Sequence, residues 1–162
     1  MRVWDAIASL RKPARVFETP FIADVRLMAE ATLRRGGASL YIARDDRHAM
    51  MALAAARFFA PPLDVVSLPA WDCLPYDRMS PSPGIAAQRC SALAKVADRF
   101  TGKIARSPAL VVTTASAAIQ RVPPRSHMSA AAFVAREGDS VPLERIQTYL
   151  NINGYVRTPT VR

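Results

Sequence analysis

Two cysteines, Cys73 and Cys90, are all the thiol chemistry available in 162 residues. They are too few and too far apart for a disulfide framework, a zinc site or a C-x-x-C redox pair, and a reducing cytoplasmic setting fits their scarcity. Long apolar runs are missing as well. The longest, Ala49 to Ala60, is broken by Arg57 and falls far short of the roughly 20 residues that cross a bilayer, so no membrane partner is expected. The opening Met1-Arg2-Val3-Trp4-Asp5 has neither the basic region, the apolar core nor the small-residue cleavage site of a secretory signal. Lysine is scarce, and the net charge of +9 rests almost wholly on arginine. Those arginines are scattered singly along amphipathic segments, the pattern of solvated helix faces rather than of a concentrated nucleic-acid footprint.

Catalytic equipment is also absent. A triphosphate cradle needs G-x-x-x-x-G-K-[ST] between a strand and a helix, so that backbone N–H groups and the lysine surround the phosphates together. Gly36-Gly37 precedes a strand instead of following one, and Thr101-Gly102-Lys103 lacks the upstream glycine; both read as helix stops. His48 and His127 are isolated and read as surface residues, and Asp45-Asp46 reads as a helix cap rather than a paired carboxylate. No catalytic residue, cofactor, metal or small-molecule substrate is expected, and the chain reads as a non-enzyme.

What is present is an ordinary globular composition, 51% apolar and 22% charged, enough for one core and part of a second. Residues 1–18 read as a helix from Val3 to Leu10 and a basic tether. Thr19-Pro20 predicts a capped helix carrying Phe21, Val25, Met28 and Thr32 on one face and ending at Gly36-Gly37. Ala38–Ala43 predicts a strand covered on both faces, followed by a helix capped at Asp45 or Asp46 with Met50, Leu53, Ala54 and Phe58 facing the core. Leu63–Leu68 and Pro108–Thr114 predict two more strands. Between them a helix starts near Ser82-Pro83-Gly84 and carries Leu93, Val96, Ala97 and Phe100, and a short helix follows through Ile119. Strands alternating with helices imply an α/β fold, a parallel sheet with helices on both faces. Beyond Pro123-Pro124 the pattern changes: Ala131–Arg136 reads as a strand, Val141–Asn151 as a helix introduced by Ser140, and Tyr155–Thr158 as a strand whose partner is not in the chain. The sequence is therefore expected to stop inside a second unit.

One long connection stands out. From Leu68 to Pro83 four prolines restrict the backbone, and Trp71 and Tyr76 offer large amphipathic rings, so the stretch can be ordered without regular secondary structure. On physical grounds alone the two rings cover the carboxyl edge of the sheet, or serve as stacking platforms for single-stranded nucleic acid on a basic surface.

The wording of this connection is specific. Trp71-Asp72-Cys73-Leu74-Pro75-Tyr76-Asp77, then Ser80-Pro81, then Ile85 to Arg89 opening a helix, resembles the N-terminal region of bacterial transcription-repair coupling factors. Val111 to Pro124, and Leu143 to Val156, resemble the same family, so the likeness covers roughly residues 20–162. It implies a degenerate helicase-like module akin to the damage-recognition protein UvrB, with 19–128 as the first part of its α/β domain and 129–162 as the start of an inserted domain. The implied partners are UvrA and the remaining domains of the parent protein, with RNA polymerase and DNA reached through the parent, whose ATP-driven translocase lies later in the chain. UvrB's phosphate loop has no counterpart here, and its long DNA-probing hairpin is replaced by the Pro-rich connection. The resemblance carries no UvrA-contacting residue onto this sequence; those lie beyond Arg162.

Overall fold

The computed structural model describes residues 7, 9, 13, 15–74, 78–101, 107–131, 133, 135 and 137–158. Of the helix expected over Val3–Leu10, Ile7 and Ser9 are helical and the remainder lies outside the described residues.

A three-stranded parallel sheet in the order β1-β3-β2 organises the chain, with β1 at Ala38–Ala43, β2 at Asp64–Leu68 and β3 at Ala109–Thr114. Helices α1 (Phe21–Arg35) and α2 (Asp46–Phe59) precede β1 and β2, and α3 (Pro83–Thr101) precedes β3. The single turn α4 (Ala115–Ala118) follows β3, then α5 (Arg125–Ala131) and α6 (Leu143–Ile152). The α/β class expected from the strand-helix alternation is the one observed.

Parallel strands need crossovers, and each crossover helix must bury a stripe on the sheet. Leu110 and Val112 of β3 point to one face, where Val25 and Ala29 of α1 meet Ala52 and Ala56 of α2 in the main core. Val111 points to the other face and joins Val66 of β2 and Ala92 of α3 in a smaller cluster. All six residues of β3 are buried, as befits a central strand. The tight passage from α1 to β1 uses Gly36 and Gly37 at φ 69° and 81°, a left-handed backbone that only glycine adopts without strain.

Coverage is uneven, contrary to the expectation for β1. Its burial alternates: Tyr41 packs on the main core, whereas Leu40 and Ile42 are 53% and 54% exposed. Their register partners on β3 are Val111 and Thr113, so they belong to the α3 face. Helix α3 lies over β2 and the β2-β3 seam, and Leu40 and Ile42 are left largely uncovered on that side.

The core stripe of α2 is also rotated from the one the sequence suggests. Ala52 and Ala56 are fully buried, while Met50 and Phe58 are 66% and 77% exposed and Ala54 is exposed. Only Leu53 of the expected four packs on the core. Close approach of α1 and α2 over the sheet leaves room for methyl groups at the contact line, so the large side chains are displaced outward.

Helix starts differ in detail. At α1, Pro20 holds the cap position without a side-chain bond, and the Thr19 hydroxyl donates to the Asp24 carboxylate instead. At α6, Pro142 rather than Ser140 precedes the first turn. Ala131 ends α5 and Phe133 and Ala135 are irregular, so the strand expected over Ala131–Arg136 is not formed among its described residues. The Pro124 carbonyl, accepting from the amides of His127 and Met128, starts a helix there that packs on α3. Tyr155–Thr158 pairs with no strand among the described residues. The Phe133 and Tyr149 rings meet at 5.2 Å, with the Arg145 guanidinium 5.6 Å from the Phe133 ring, tying α6 to the segment before it.

Candidate docking site at the carboxyl ends of the strands

In open α/β sheets ligands gather where the strands end, and two loops meet there in this chain. The first runs from β1 into α2. Asp45 is its N-cap: the carboxylate accepts the His48 backbone N–H at 2.8 Å and lies 2.7 Å from His48 Nδ1, and the Arg44 side chain donates to it at 3.0 Å. These bonds, the His48 amide first, hold the Asp45 carboxyl well below the usual carboxylate range. The positive end of α2 thus already faces an anion supplied by the chain. A phosphate at this helix start would meet a carboxylate where a phosphate loop offers glycine amides.

His48, expected to be isolated on the surface, is half-buried between Asp45 and the Phe21 ring, whose centroid is 5.1 Å away. The Asp-x-x-His spacing at a helix start is the sequence signal for this contact. His127 is exposed as expected, and among the described residues no cluster of metal-ligating side chains forms.

Because the Asp45 carboxyl is easier to ionise folded than unfolded, its contribution to stability is present above the ordinary carboxylate pKa of about 4 and is lost as pH falls below it. Asp45→Ala is expected to lower Tm by a few degrees at neutral pH and to flatten the acid limb of the Tm-pH profile. An unchanged acid limb in thermal melts between pH 3 and pH 7 would contradict this assignment.

The second loop is the Pro-rich connection after β2. The Trp71 backbone N–H donates to Gln120 Oε1 at 3.1 Å, which anchors the loop to the segment after α4. The Asp72 carboxylate accepts the Ser82 backbone N–H at 3.1 and 3.2 Å. Hydrogen bonding from Ser82, its side chain first and then its backbone N–H, lowers the Asp72 pKa, and the backbone bonds pin the two ends of the loop together at the start of α3. Arg89, on α3, reaches under the loop. Its guanidinium donates to the Pro69 carbonyl and lies 4.7 Å from the Trp71 ring centroid. The side chain is 1% exposed, and its Nε and Nη2 have no acceptor among the described residues; burial pushes its pKa down.

Trp71, Asp72 and Arg89 of the expected motif are therefore brought together. Leu74 is 76% exposed, Ser80 is exposed and Pro81 half-buried, while Pro75, Tyr76 and Asp77 lie outside the described residues. Arg89 reads from sequence only as the end of a motif string; its burial against a ring 18 positions away is a long-range fact that helical periodicity does not carry. Trp71 is half-buried with its ring against a guanidinium, which favours the covering role over the stacking-platform role.

Above the strand ends the two loops enclose a cavity of about 350 Å³ whose walls include Asp46, Met50, Leu53, Trp71, Asp72 and Thr114. Its lining is mainly apolar, without a cation among its lining residues. Such a chamber suits an apolar side chain better than a polyphosphate.

No family model matches the chain, and no helix among the described residues is long and apolar enough to cross a membrane. In sequence the chain is similar to the transcription-repair-coupling factor of Escherichia coli (strain K12), with 28% identity over 133 residues. That stretch is 82% of this chain and 11% of that relative, so the chain spans only a small part of the relative's length.

Proposed function

We propose that this chain is a non-catalytic docking module of a transcription-repair coupling factor, acting in transcription-coupled nucleotide excision repair. The carrying observation is the carboxylate of Asp45 at the helix start where a nucleotide-binding relative of this architecture would present amides to phosphate. With that position closed and the neighbouring chamber apolar, what remains is surface recognition. Similarity to the Escherichia coli coupling factor supports the repair assignment.

In this reading residues 19–128 are the first part of a UvrB-like domain, 129–162 begin an inserted domain, and 1–18 are a peripheral tether. The module contributes to recruiting UvrA and to restraining the rest of the parent protein through interdomain contacts. The motif loop through Trp71, Asp72, Leu74, Pro75, Tyr76, Asp77, Ser80 and Pro81, buttressed by Arg89, shapes the docking face rather than a reaction centre.

Calorimetry tests this on the chain itself. Titration with ATP is expected to give no saturable heat up to about 1 mM, and titration with UvrA a saturable but weak isotherm, in the micromolar range or above. Saturable ATP binding would overturn the non-catalytic reading, and silence with UvrA at about 1 mM would place recruitment outside this chain.

A further inference from the structure

The outer edge of β2 is the floor of a groove. Asp64 donates its backbone N–H to the Pro108 carbonyl at 3.1 Å, toward β3. Along a strand, residues that bond one neighbour alternate with residues whose N–H and C=O face the opposite side. Val65 and Ser67 therefore direct their backbone groups outward, and among the described residues no strand pairs with them. Met50, Leu53 and Arg57 of α2 form one wall, and Gln88, Ser91 and Lys95 of α3 the other. The groove holds about 620 Å³ and runs into the apolar cavity beside Trp71, with Met50, Leu53, Ser67 and Gln88 common to both.

The charge of this groove selects its occupant. Arg57 and Lys95 line it with no acidic residue among its lining residues, and the ion pairs nearby among the described residues, such as Arg99 with Asp64 at 2.6 Å, do not involve them. Asp46 and Asp72 line the adjoining cavity, so the acidic side chains of an occupant belong along the groove and an uncharged one at the cavity. We infer that the β2 edge captures an extended acidic segment of a partner protein as an added parallel or antiparallel strand, with an aliphatic side chain of that segment seated in the cavity beside Trp71. Unpaired backbone groups supply the ladder bonds, alternate pockets select the side chains, and the two cations select sign. A second copy of this chain is a poor occupant: it would bring the same two cations face to face, on a molecule already at +9. The inference rests on the docking reading and specifies the chemistry of what docks; the UvrA titration can fail while the groove still binds its strand, and the reverse.

The test uses the whole chain and fluorescein-labelled octapeptides of alternating valine and glutamate, followed by fluorescence polarisation and by amide chemical shifts. Saturable binding is expected, with the amides of Val65 and Ser67 among those most shifted. Methylating the peptide nitrogens at one alternate set of positions should weaken binding at least about tenfold while methylating the other set leaves it little changed, because only one set faces β2. Exchanging glutamate for lysine in the peptide, or introducing R57E with K95E, should also cost about tenfold or more. The methylated peptides leave the protein untouched, so the test does not depend on a variant folding. No saturation at about 1 mM peptide, equal effects of the two methylation patterns, or indifference to both charge reversals would overturn the inference. Dimerisation by light scattering, with the amides of Val65 and Ser67 shifting as protein concentration rises and not with peptide, would assign the edge to a second copy instead.

Discussion

Leu110→Ala is expected to remove about 4 kcal/mol of folding stability, near the upper end for a buried leucine. Leu110 is fully buried near the start of β3, the central strand, and its neighbours in the main core include Ala29, Ala52 and Ala56. Alanines cannot swing a longer side chain into the vacated space, so the cavity stays open and its full cost is felt. Against the ordinary total of about 5–15 kcal/mol, this is enough to populate the unfolded chain at moderate temperature, with Tm falling by about 8–16 °C. Urea titration should show the midpoint shift with an unchanged slope. Leu40→Ala, on the uncovered side of β1, serves as the control and should cost under about 1 kcal/mol. A Leu110→Ala loss no larger than that of the control would mean that the main core is not where the stability resides.

Arg89→Ala is expected to cost about 3 kcal/mol and to loosen the Pro-rich connection. The long side chain fills the space beneath the Trp71 ring and holds the Pro69 carbonyl, so truncation removes packing and a charge-assisted bond together. Arg89→Lys should recover less than half of the loss, because an ammonium cannot lie flat against the ring and donate sideways at once. Trp71 emission, measured in a Trp4→Phe background, should shift to the red in both variants as water reaches the ring. An Arg89→Ala protein with unshifted emission and wild-type stability would show that the loop is ordered by Asp72 and Gln120 without the guanidinium. Two of the guanidinium nitrogens lack acceptors among the described residues, a desolvation cost that the packing must outweigh.

Much of this architecture can be read before any coordinates. Three β-rich runs separated by amphipathic helices require crossovers, and Gly36-Gly37, Asp45 and Ser82-Pro83 mark turns by local chemistry that tertiary contacts do not override. Phase and coverage escape periodicity. In α2 the pattern turns large residues inward, yet the helix approaches α1 and the sheet so closely that Ala52 and Ala56 take the contact. In β1 an unbroken apolar run implies two covered faces, but a run of six residues cannot report whether a helix is present to lie over Leu40 and Ile42. At the site, the loop announces itself through proline and aromatic content, whereas its supports depend on pairs distant in sequence: Arg89 with Pro69, and Gln120 with Trp71. The β2 groove is illegible for the same reason, since being an outer strand is a property of the sheet and not of Asp64–Leu68.

The bare flank of β1 has a colloidal consequence. Leu40 and Ile42 lie on an outer strand whose far edge meets no strand among the described residues, the kind of surface on which identical molecules stack into aggregates. Mutual repulsion between molecules of charge +9 opposes that stacking, and added electrolyte shortens its range to about 8 Å at physiological ionic strength. In isolation this chain is expected to be kept dispersed by its arginines, with concentrated salt working against its solubility.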